Sequence, residues 1–272
     1  MKINTMPLKS RLGQNFLRDA RAAERIVAAL GPIEGSTVVE IGPGRGAITR
    51  SLAAKAGQVI AVELDHELAA TLRDQYPSER VAVIEQDVLQ FDFAEAAKEA
   101  GERLRVVGNL PYYITSPILL KLAASHAAIE AAVLMVQREV ADRVTAAPGS
   151  RDYGVLTVTV QMYGPVEPLF TLPPAAFSPP PEVHSTVFRW RFAPRFAELG
   201  VEEDGFLSFV RQVFAQKRKT LANNLRAAGI DTETAAAAMQ RAGIDSRARA
   251  EAASIELLTA LWQALRTDRP AA

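Results

Sequence analysis

Short apolar runs alternate with longer amphipathic segments along the first 192 residues of this 272-residue chain. The β-branched runs "STVVEIG", "QVIAVEL", "VAVIEQD", "RLRVVGNL" and "AAVLMVQ" predict strands, and "AITRSLAAKA", "HELAATLRDQY" and "PILLKLAAS" predict helices between them. The strands are apolar at nearly every position, which is typical of a parallel sheet covered on both faces. This alternation predicts an α/β fold with crossover helices.

Three further segments complete this region. "VEPLFTL" and "STVFRWRF" predict two more strands, which the proline-rich "PPAAFSPPPEVH" joins. "YGVLTVTVQMYG" is ambiguous, because its Val and Thr content favours a strand, whereas Val155, Thr159 and Met162 fit one face of a helix.

From Gly205 onward the pattern is helical throughout and no strand pattern remains. We therefore expect an α/β domain over residues 1–192 with a basic N-terminal arm at 1–21, a linker at 193–204, and a small all-helical domain at 205–272.

The composition narrows the classes of partner and chemistry. Lys and Arg total 31, as do Asp and Glu, so a nucleic acid would have to meet a local basic patch. The absence of cysteine excludes disulfides, thiol nucleophiles and cysteine-bound metals. His66, His126 and His184 lack metal-ligand spacing, so no metal is expected. No apolar leader or run of transmembrane length occurs, which predicts a soluble, cytoplasmic protein with no membrane partner.

A glycine-rich turn follows the first predicted strand in "VVEIGPGRGAIT". Gly42, Gly44 and Gly46 permit a tight turn and close approach of a ligand to the backbone. Glu63 ends the next strand, where a carboxylate can accept hydrogen bonds from both ribose hydroxyls of a nucleoside. Gly42, Gly44 and Ala47 also fit G-x-G-x-x-A, the dinucleotide fingerprint, and an ordinary βα turn remains a further alternative.

Two more polar residues follow strands at the same predicted edge of the sheet. Asp87 either accepts from an adenine amino group or caps the helix that follows. In "NLPY", the side-chain oxygen of Asn109 and the carbonyl of Leu110 can hold an exocyclic amino group, Pro111 can set the turn, and Tyr112 can stack on a base. The alternative for "NLPY" is a simple strand-exit turn.

The segment from 209 to 226 contains five basic residues and no acidic one, which favours contact with RNA phosphates over an ordinary solvated face. Interpreted as one continuous helix, it places four of its cations on an arc of about 100° beside an apolar arc. The predicted RNA-binding cations are Arg211, Lys217, Arg218, Lys219 and Arg226, with Lys9 and Arg11 in a second patch within residues 1–21.

These motifs resemble those of S-adenosylmethionine-dependent rRNA adenine N6-dimethyltransferases. The resemblance rests on "GQNFL", "EIGPGRGAIT", "VELD", "NLPYYITSPIL", "FSPPPEVHSTVFR" and "QKRKTLANNL", in family order and spacing over nearly the whole chain. It implies a Rossmann-like class I methyltransferase sheet and a helix at 153–164. It also implies that Asn15 and Leu17 line the cofactor pocket with Gly42, Gly44, Glu63, Asp87 and Asn109. Phe177 is expected to sandwich the target adenine opposite Tyr112.

The closest resemblance is to the branch that modifies two adjacent adenosines in the 3′-terminal hairpin loop of small-subunit rRNA. It implies a small-subunit particle under assembly as the partner, and we expect the enzyme to be a monomer. The erythromycin-resistance dimethyltransferases of large-subunit rRNA typically carry isoleucine where Leu110 stands and lack the "QKRKTLANNL" segment. Two alternatives from other classes are an NAD-dependent oxidoreductase and a protein that binds pre-ribosomal RNA during assembly.

Overall fold

The computed structural model describes residues 14–267, so Lys9 and Arg11 of the expected N-terminal patch lie outside the described residues. By their contacts, the residues form two compact units. The first contains the chain up to residue 141 together with 165–192, and the second contains 142–164 together with the chain from 193 onward.

The first unit contains nine strands and the crossover helices among its described residues. The strands are β1 (Phe16–Leu17), β2 (Thr37–Ile41), β3 (Gln58–Glu63), β4 (Val81–Glu85), β5 (Leu104–Asn109), β6 (Ile129–Gln137), β7 (Val166–Leu172), β8 (Phe177–Ser178) and β9 (Ser185–Arg191). The helices are α1 (Ala20–Ala28), α2 (Thr49–Lys55), α3 (His66–Gln75), α4 (Phe93–Ala100), α5 (Thr115–Ala124) and α6 (Arg138–Val144), within which the boundary between the units falls.

Seven strands form one sheet in the order β4-β3-β2-β5-β6-β9-β7. β4, β3, β2, β5 and β6 are parallel, and β9 is antiparallel to both of its neighbours. The chain runs outward from β2 to β4 and then returns to β5 on the other side of β2. The carboxyl ends of β2 and β5 therefore flank a topological switch point, where open α/β sheets bind ligands.

Local sequence explains why these elements form. All five residues of β2 are buried, as expected for a central strand covered on both faces. Asp19, Asp65 and Asp92 each accept hydrogen bonds from backbone amides in the first turn of α1, α3 and α4, which caps those helices. The predicted α/β class and each of the predicted strands are confirmed. The pairing of β1 with β8 was not predicted, because two-residue strands carry no periodic signal.

The second unit is helical among its described residues. Its complete helices are α7 (Val155–Met162), α8 (Glu203–Val213), α9 (Leu221–Ala227), α10 (Thr232–Arg241) and α11 (Ile255–Thr267). The ambiguous segment at 153–164 is therefore a helix, as the resemblance implied. Across residues 14–267, no helix has the length and apolarity needed to cross a membrane.

The two units defined by contacts between residues differ from the domains that the sequence predicted. The segment 142–164, predicted to belong to the α/β domain, packs with the helices, since Tyr163 donates a hydrogen bond of 2.7 Å from its hydroxyl to Oε1 of Glu203. The ring of Tyr163 also packs edge-on against Phe196 at 5.2 Å between centroids. Phe196 and Val201 are buried, so residues 193–204, predicted to be a linker, contribute to the core of this unit.

The prediction of one continuous helix over 209–226 is wrong. α8 ends at Val213, and α9 begins only at Leu221. The carboxamide of Asn224 accepts from the backbone amide of Gln216 at 2.9 Å and donates to its carbonyl at 3.3 Å, while Thr220 caps α9. These side-chain bonds pair the backbone polar groups of a turn between the two helices. The cations therefore do not lie on one arc of a single helix.

Candidate functional site

A pocket in the first unit opens where β2, β3, β4 and β5 end. It brings together ten residues that the sequence analysis proposed for cofactor binding or catalysis. These are Asn15, Leu17, Gly42, Gly44, Glu63, Asp87, Asn109, Leu110, Pro111 and Tyr112. The switch point of the sheet therefore coincides with the predicted ligand site.

The glycine-rich turn forms one wall of this pocket. Gly42 and Gly44 have φ values of +62° and +58°, a region that glycine adopts without steric cost. A Cβ atom at Gly44 would lie only 3.0 Å from Cδ1 of Phe16, whose ring also carries the Arg45 guanidinium at 4.5 Å from its centroid. A side chain at position 44 would therefore disturb both the turn and the packing of Phe16.

Glu63 lies at the end of β3 and is only 3% exposed. Its Oε2 accepts from the backbone amide of Gly44 and its Oε1 from that of Asp65, both at 2.9 Å. Burial raises the pKa of the Glu63 carboxyl, although these two amides act in the opposite direction. Each carboxylate oxygen can accept a second hydrogen bond, so the residue keeps capacity for ligand hydroxyls.

Glu40 lines the same pocket and was missed in the sequence analysis. It is 1% exposed, and its Oε2 accepts a hydrogen bond of 2.6 Å from the Thr49 hydroxyl. Burial raises the pKa of Glu40 to about 8, and the neighbouring charge of Glu63 acts in the same direction. At neutral pH this carboxyl is mostly protonated. The available signal was an acidic residue inside the apolar run "VVEIG", which was interpreted only as a strand.

Asp87 follows β4 and serves as a cap. Its Oδ1 accepts a hydrogen bond of 2.9 Å from the backbone amide of Leu89, at the start of the 3₁₀ turn Val88–Gln90. The capping alternative is therefore present in the structure. Asp87 also lines the pocket, so the two interpretations are compatible.

Asn109 is the last residue of β5. Its Nδ2 donates a hydrogen bond of 2.9 Å to the backbone carbonyl of Asn15, which sets the orientation of the carboxamide. Its Oδ1 is buried and has no hydrogen-bond partner among residues 14–267. An unpaired buried acceptor is costly, and its place at a pocket makes it a candidate to receive a ligand donor.

The residues after Asn109 form the turn that the sequence suggested. The amide of Leu110 donates to the carbonyl of Met135 at 2.9 Å, and Pro111 has extended dihedrals of −60° and 127°. The half-buried Tyr112 then shares a hydrogen bond of 2.7 Å between its hydroxyl and that of Ser185. The aromatic ring is thereby held at the side of the pocket nearest β9.

Phe177 is buried opposite Leu17, a residue that lines the pocket. Its ring is 1% exposed and belongs to a hydrophobic core that includes Leu17, Leu172 and Val187. The reason is the pairing of β8 with β1, which sets Phe177 opposite Leu17. Phe177 is not among the residues that line the pocket, although its partner Leu17 is, and its contact with the target adenine stays a prediction.

The predicted RNA-binding cations of the second unit are exposed but do not form one helical face. Lys217, Arg218 and Lys219 lie in the turn between α8 and α9, where Nζ of Lys217 donates to the carbonyl of Arg151 at 3.0 Å. The two others, Arg211 and Arg226, lie on α8 and α9. Within the described residues, no group of three His, Cys, Asp or Glu side chains is placed to hold a metal ion.

Solved structures with this architecture include RNA methyltransferases. The crystal structure of 23S rRNA methyltransferase ErmE matches with a TM-score of 0.71 and 28% identity, over 93% of this chain and all of that one. A dimethyladenosine transferase from Plasmodium falciparum has the same fold, with a TM-score of 0.76 and 22% identity over 93% of this chain and 98% of that one.

Bacterial proteins named as small-subunit rRNA methyltransferases share more of their sequence with this chain than these solved structures do. "Ribosomal RNA small subunit methyltransferase A" of Acidobacterium capsulatum is 58% identical over 94% of this chain and 91% of that protein. The protein of the same name from Koribacter versatilis is 51% identical over 97% of this chain and 96% of its own length. The model of the family "Ribosomal RNA adenine dimethylase" matches residues 6–266. The chain therefore belongs to the ribosomal RNA adenine dimethylase family.

Proposed function

We propose that this protein dimethylates the N6 amino groups of two adjacent adenosines in the 3′-terminal hairpin loop of small-subunit rRNA, using S-adenosylmethionine. Relatives named as small-subunit methyltransferases at 58% and 51% identity support this assignment. The structural observation that carries it is the buried, unpartnered Oδ1 of Asn109 at the pocket, an acceptor suited to an amino group. The substrate would be a pre-ribosomal 30S particle in the cytoplasm, with the enzyme acting as a monomer.

The pocket residues fit the proposed cofactor. The positive-φ turn at Gly42 and Gly44 presents backbone without side chains, and a Cβ atom at Gly44 would meet Phe16. Glu63 offers carboxylate oxygens for ribose hydroxyls, and Asp87 offers an acceptor for the adenine amino group. When bound, S-adenosylmethionine supplies an electrophilic methyl group on a sulfonium.

Asn109 and Leu110 would activate the target nitrogen. The lone pair of an adenine amino group is delocalised into the ring, so the nitrogen is a weak nucleophile while the group stays planar. Oδ1 of Asn109 and the carbonyl of Leu110 can each accept one N–H, which holds the nitrogen in a pyramidal form. Pro111 keeps this turn rigid. No strong base is required, because the alkylated nitrogen is cationic and releases its proton readily.

Tyr112 would position the base for this reaction. Its hydroxyl is tied to Ser185, so its ring presents a fixed face on which an adenine can stack. The target adenosine has to leave its loop to reach the pocket, as in other enzymes that modify bases. Alignment of nucleophile and methyl group then contributes most of the catalysis, and positioning of this kind can lower a barrier by about 7–11 kcal/mol.

Methylation of large-subunit rRNA is the second candidate, because ErmE, a 23S rRNA methyltransferase, has the same fold at 28% identity. Two features favour the small subunit. The first is the much higher identity to proteins named for the small subunit. The second is the combination of Leu110 with the segment "QKRKTLANNL", which differs from the erythromycin-resistance type.

Methylation of defined particles tests the proposal. Small subunits assembled from unmodified rRNA, and in parallel unmodified large-subunit rRNA, would be incubated with the protein and labelled S-adenosylmethionine. We expect dimethyladenosine at two adjacent positions of the small-subunit 3′ hairpin, located by mass spectrometry of nuclease fragments. Label confined to large-subunit rRNA would contradict the assignment. Calorimetric titration with NAD serves as the control for the oxidoreductase alternative and should give no heat of binding.

A further inference from the structure

The two tyrosines of "NLPYY" line the same pocket but have different neighbours. The hydroxyl of Tyr112 bonds to Ser185 of β9, which is two strands from β5 in one direction. Tyr113 lies close enough to Asp87 and Glu63, which follow or end β4 and β3, for their charges to act on its phenol. Partial burial raises the pKa of the Tyr113 phenol, and the negative charges of Asp87 and Glu63 raise it further. These adjacent residues of one 3₁₀ turn therefore differ in what holds their side chains at the pocket.

Tyr113 is not anchored in the way that Tyr112 is. Its side chain is 56% exposed although it lines the pocket, and its hydroxyl makes no hydrogen bond within the part of the chain that the structure describes. Leu64, which follows Glu63, is 51% exposed and lines the same pocket. Exposed apolar groups gathered at a concave site are typical of surfaces that a ligand buries.

We propose that Tyr113 is a positioning residue for the cofactor, closing the carboxylate side of the pocket by packing its ring against the nucleoside half. This proposal rests on the proposed function, since it takes S-adenosylmethionine as the ligand. Glu63 and Asp87 supply acceptors for the polar edges of a nucleoside, which leaves its apolar surface to be covered by uncharged side chains. An aromatic ring at the rim suits that surface, and Tyr112 remains available for the target adenine.

Calorimetry with two ligands tests which part of the cofactor Tyr113 contacts. S-adenosylhomocysteine contains the nucleoside and the amino acid, whereas 5′-methylthioadenosine lacks the amino acid. Tyr113→Ala should weaken both ligands by the same factor, about 5- to 20-fold, because a stacking contact is lost. Tyr113→Phe keeps the ring and should bind both almost as well as the parent protein.

The test also needs a matched control variant and hydroxyl-radical footprinting of the protein without substitutions. Leu120 is 48% exposed and outside the pocket, so Leu120→Ala should leave both affinities unchanged. Hydroxyl-radical footprinting should show slower oxidation of Tyr113 when S-adenosylhomocysteine is added. Oxidation of the half-buried Tyr76, which does not line the pocket, should be unaffected.

Three outcomes would overturn the inference. In one, Tyr113→Ala binds both ligands like the parent but binds small subunits less tightly, which would assign the ring to a nucleotide flanking the target. In another, only S-adenosylhomocysteine is weakened, which would place the contact on the amino-acid half. In the third, Tyr113 oxidises equally fast with and without ligand. Failure of the parent protein to bind S-adenosylhomocysteine at all would instead contradict the proposed function.

Discussion

Nδ2 of Asn109 donates a hydrogen bond of 2.9 Å to the backbone carbonyl of Asn15, 94 residues earlier in the chain. The bond ties the segment that precedes β1 to the end of β5. It also leaves Oδ1 of Asn109 as the free end of the carboxamide, buried at the pocket. The Nδ2 donor of Asn109 is therefore bound within the protein, whereas its Oδ1 acceptor can bind a ligand.

Asn109→Ala should abolish most of the chemical step, because the acceptor for the target amino group is lost. We expect the single-turnover rate on pre-assembled small subunits, at saturating cofactor, to fall by at least about 100-fold, a loss of about 2.7 kcal/mol of transition-state stabilisation. Affinity for the subunits should change little, since other residues supply it. Methylation by Asn109→Ala at the parental rate would show that "NLPY" is only a turn.

Asn109→Asp is the matched variant for this prediction. It keeps an acceptor oxygen but loses the donor to Asn15, and its charge would face that carbonyl. We expect a rate between those of the parent and Asn109→Ala.

Phe177→Ala should mainly reduce stability. Its ring is 1% exposed in a core with Leu17 and Val187, and removing a buried Phe side chain typically costs about 3–5 kcal/mol. Chemical denaturation followed by circular dichroism would measure the loss. Val183→Ala, at an exposed position of the same proline-rich loop, is the control and should unfold like the parent. Unchanged stability together with a raised KM for RNA would indicate that the ring works at the pocket, as the resemblance implied.

The location of the pocket was predictable from the sequence, because the carboxyl ends of parallel strands lie at the same edge of a sheet. Gly42, Glu63, Asp87 and Asn109 each follow or end an apolar run, and alternation of strands and helices was enough to place them at one edge. The motifs then added the chemistry. What periodicity could not show was how each side chain is used, such as the cap that Asp87 provides.

Other features depend on contacts between residues distant in sequence. The core position of Phe177 follows from the pairing of β8 with β1, about 160 residues apart, which no local pattern encodes. The break between α8 and α9 depends on the carboxamide of Asn224 bonding to the backbone of Gln216, whereas the apolar spacing alone is compatible with one helix. The burial of Glu40 is likewise a property of the folded sheet.

The buried carboxyl of Glu40 should make stability fall as pH rises. Its pKa is about 8 in the folded protein and about 4.5 when exposed. Between these values the folded state holds a proton that the unfolded state has lost, so the free energy of unfolding decreases with pH, by at most about 1.4 kcal/mol per unit. Glu40→Gln mimics the protonated form, so its free energy of unfolding should lack the decrease with pH that ionisation of Glu40 causes. Its stability relative to the parent, from urea unfolding at pH 5, 6.5 and 8, should therefore increase across the series. A constant difference would contradict the raised pKa.

Glu63→Ala should weaken binding of S-adenosylmethionine by about 1.5–3 kcal/mol, the usual range for hydrogen bonds to a charged group. The variant also leaves the amides of Gly44 and Asp65 without their acceptor. Glu85→Ala is a suitable control, because Glu85 ends the adjacent strand but is exposed, pairs with His66, and does not line the pocket. Calorimetry should detect a loss only for Glu63→Ala, and equal affinities for the two variants would remove Glu63 from the cofactor site.

Replacing Lys217, Arg218 and Lys219 by Ala should weaken binding to small subunits in a salt-dependent way. All three are exposed in one turn, and no acidic residue occurs between 209 and 226 in the sequence, which favours contact with RNA phosphates. If each meets one phosphate, the slope of log K against log salt should become smaller by about 2–3. Filter binding over a salt series would measure it, and affinity for S-adenosylmethionine should be unchanged.

The matched control for this last experiment replaces three cations of the first unit. Lys55, Lys98 and Lys121 lie in the last turns of the crossover helices α2, α4 and α5, at the ends of these helices far from the edge of the sheet that carries the pocket. This triple variant has the same change in net charge. A general electrostatic attraction between protein and RNA would therefore reduce the salt dependence equally in both variants. Direct phosphate contact by the turn predicts a smaller slope only for the variant at 217–219, and identical slopes in the two triple variants would exclude it.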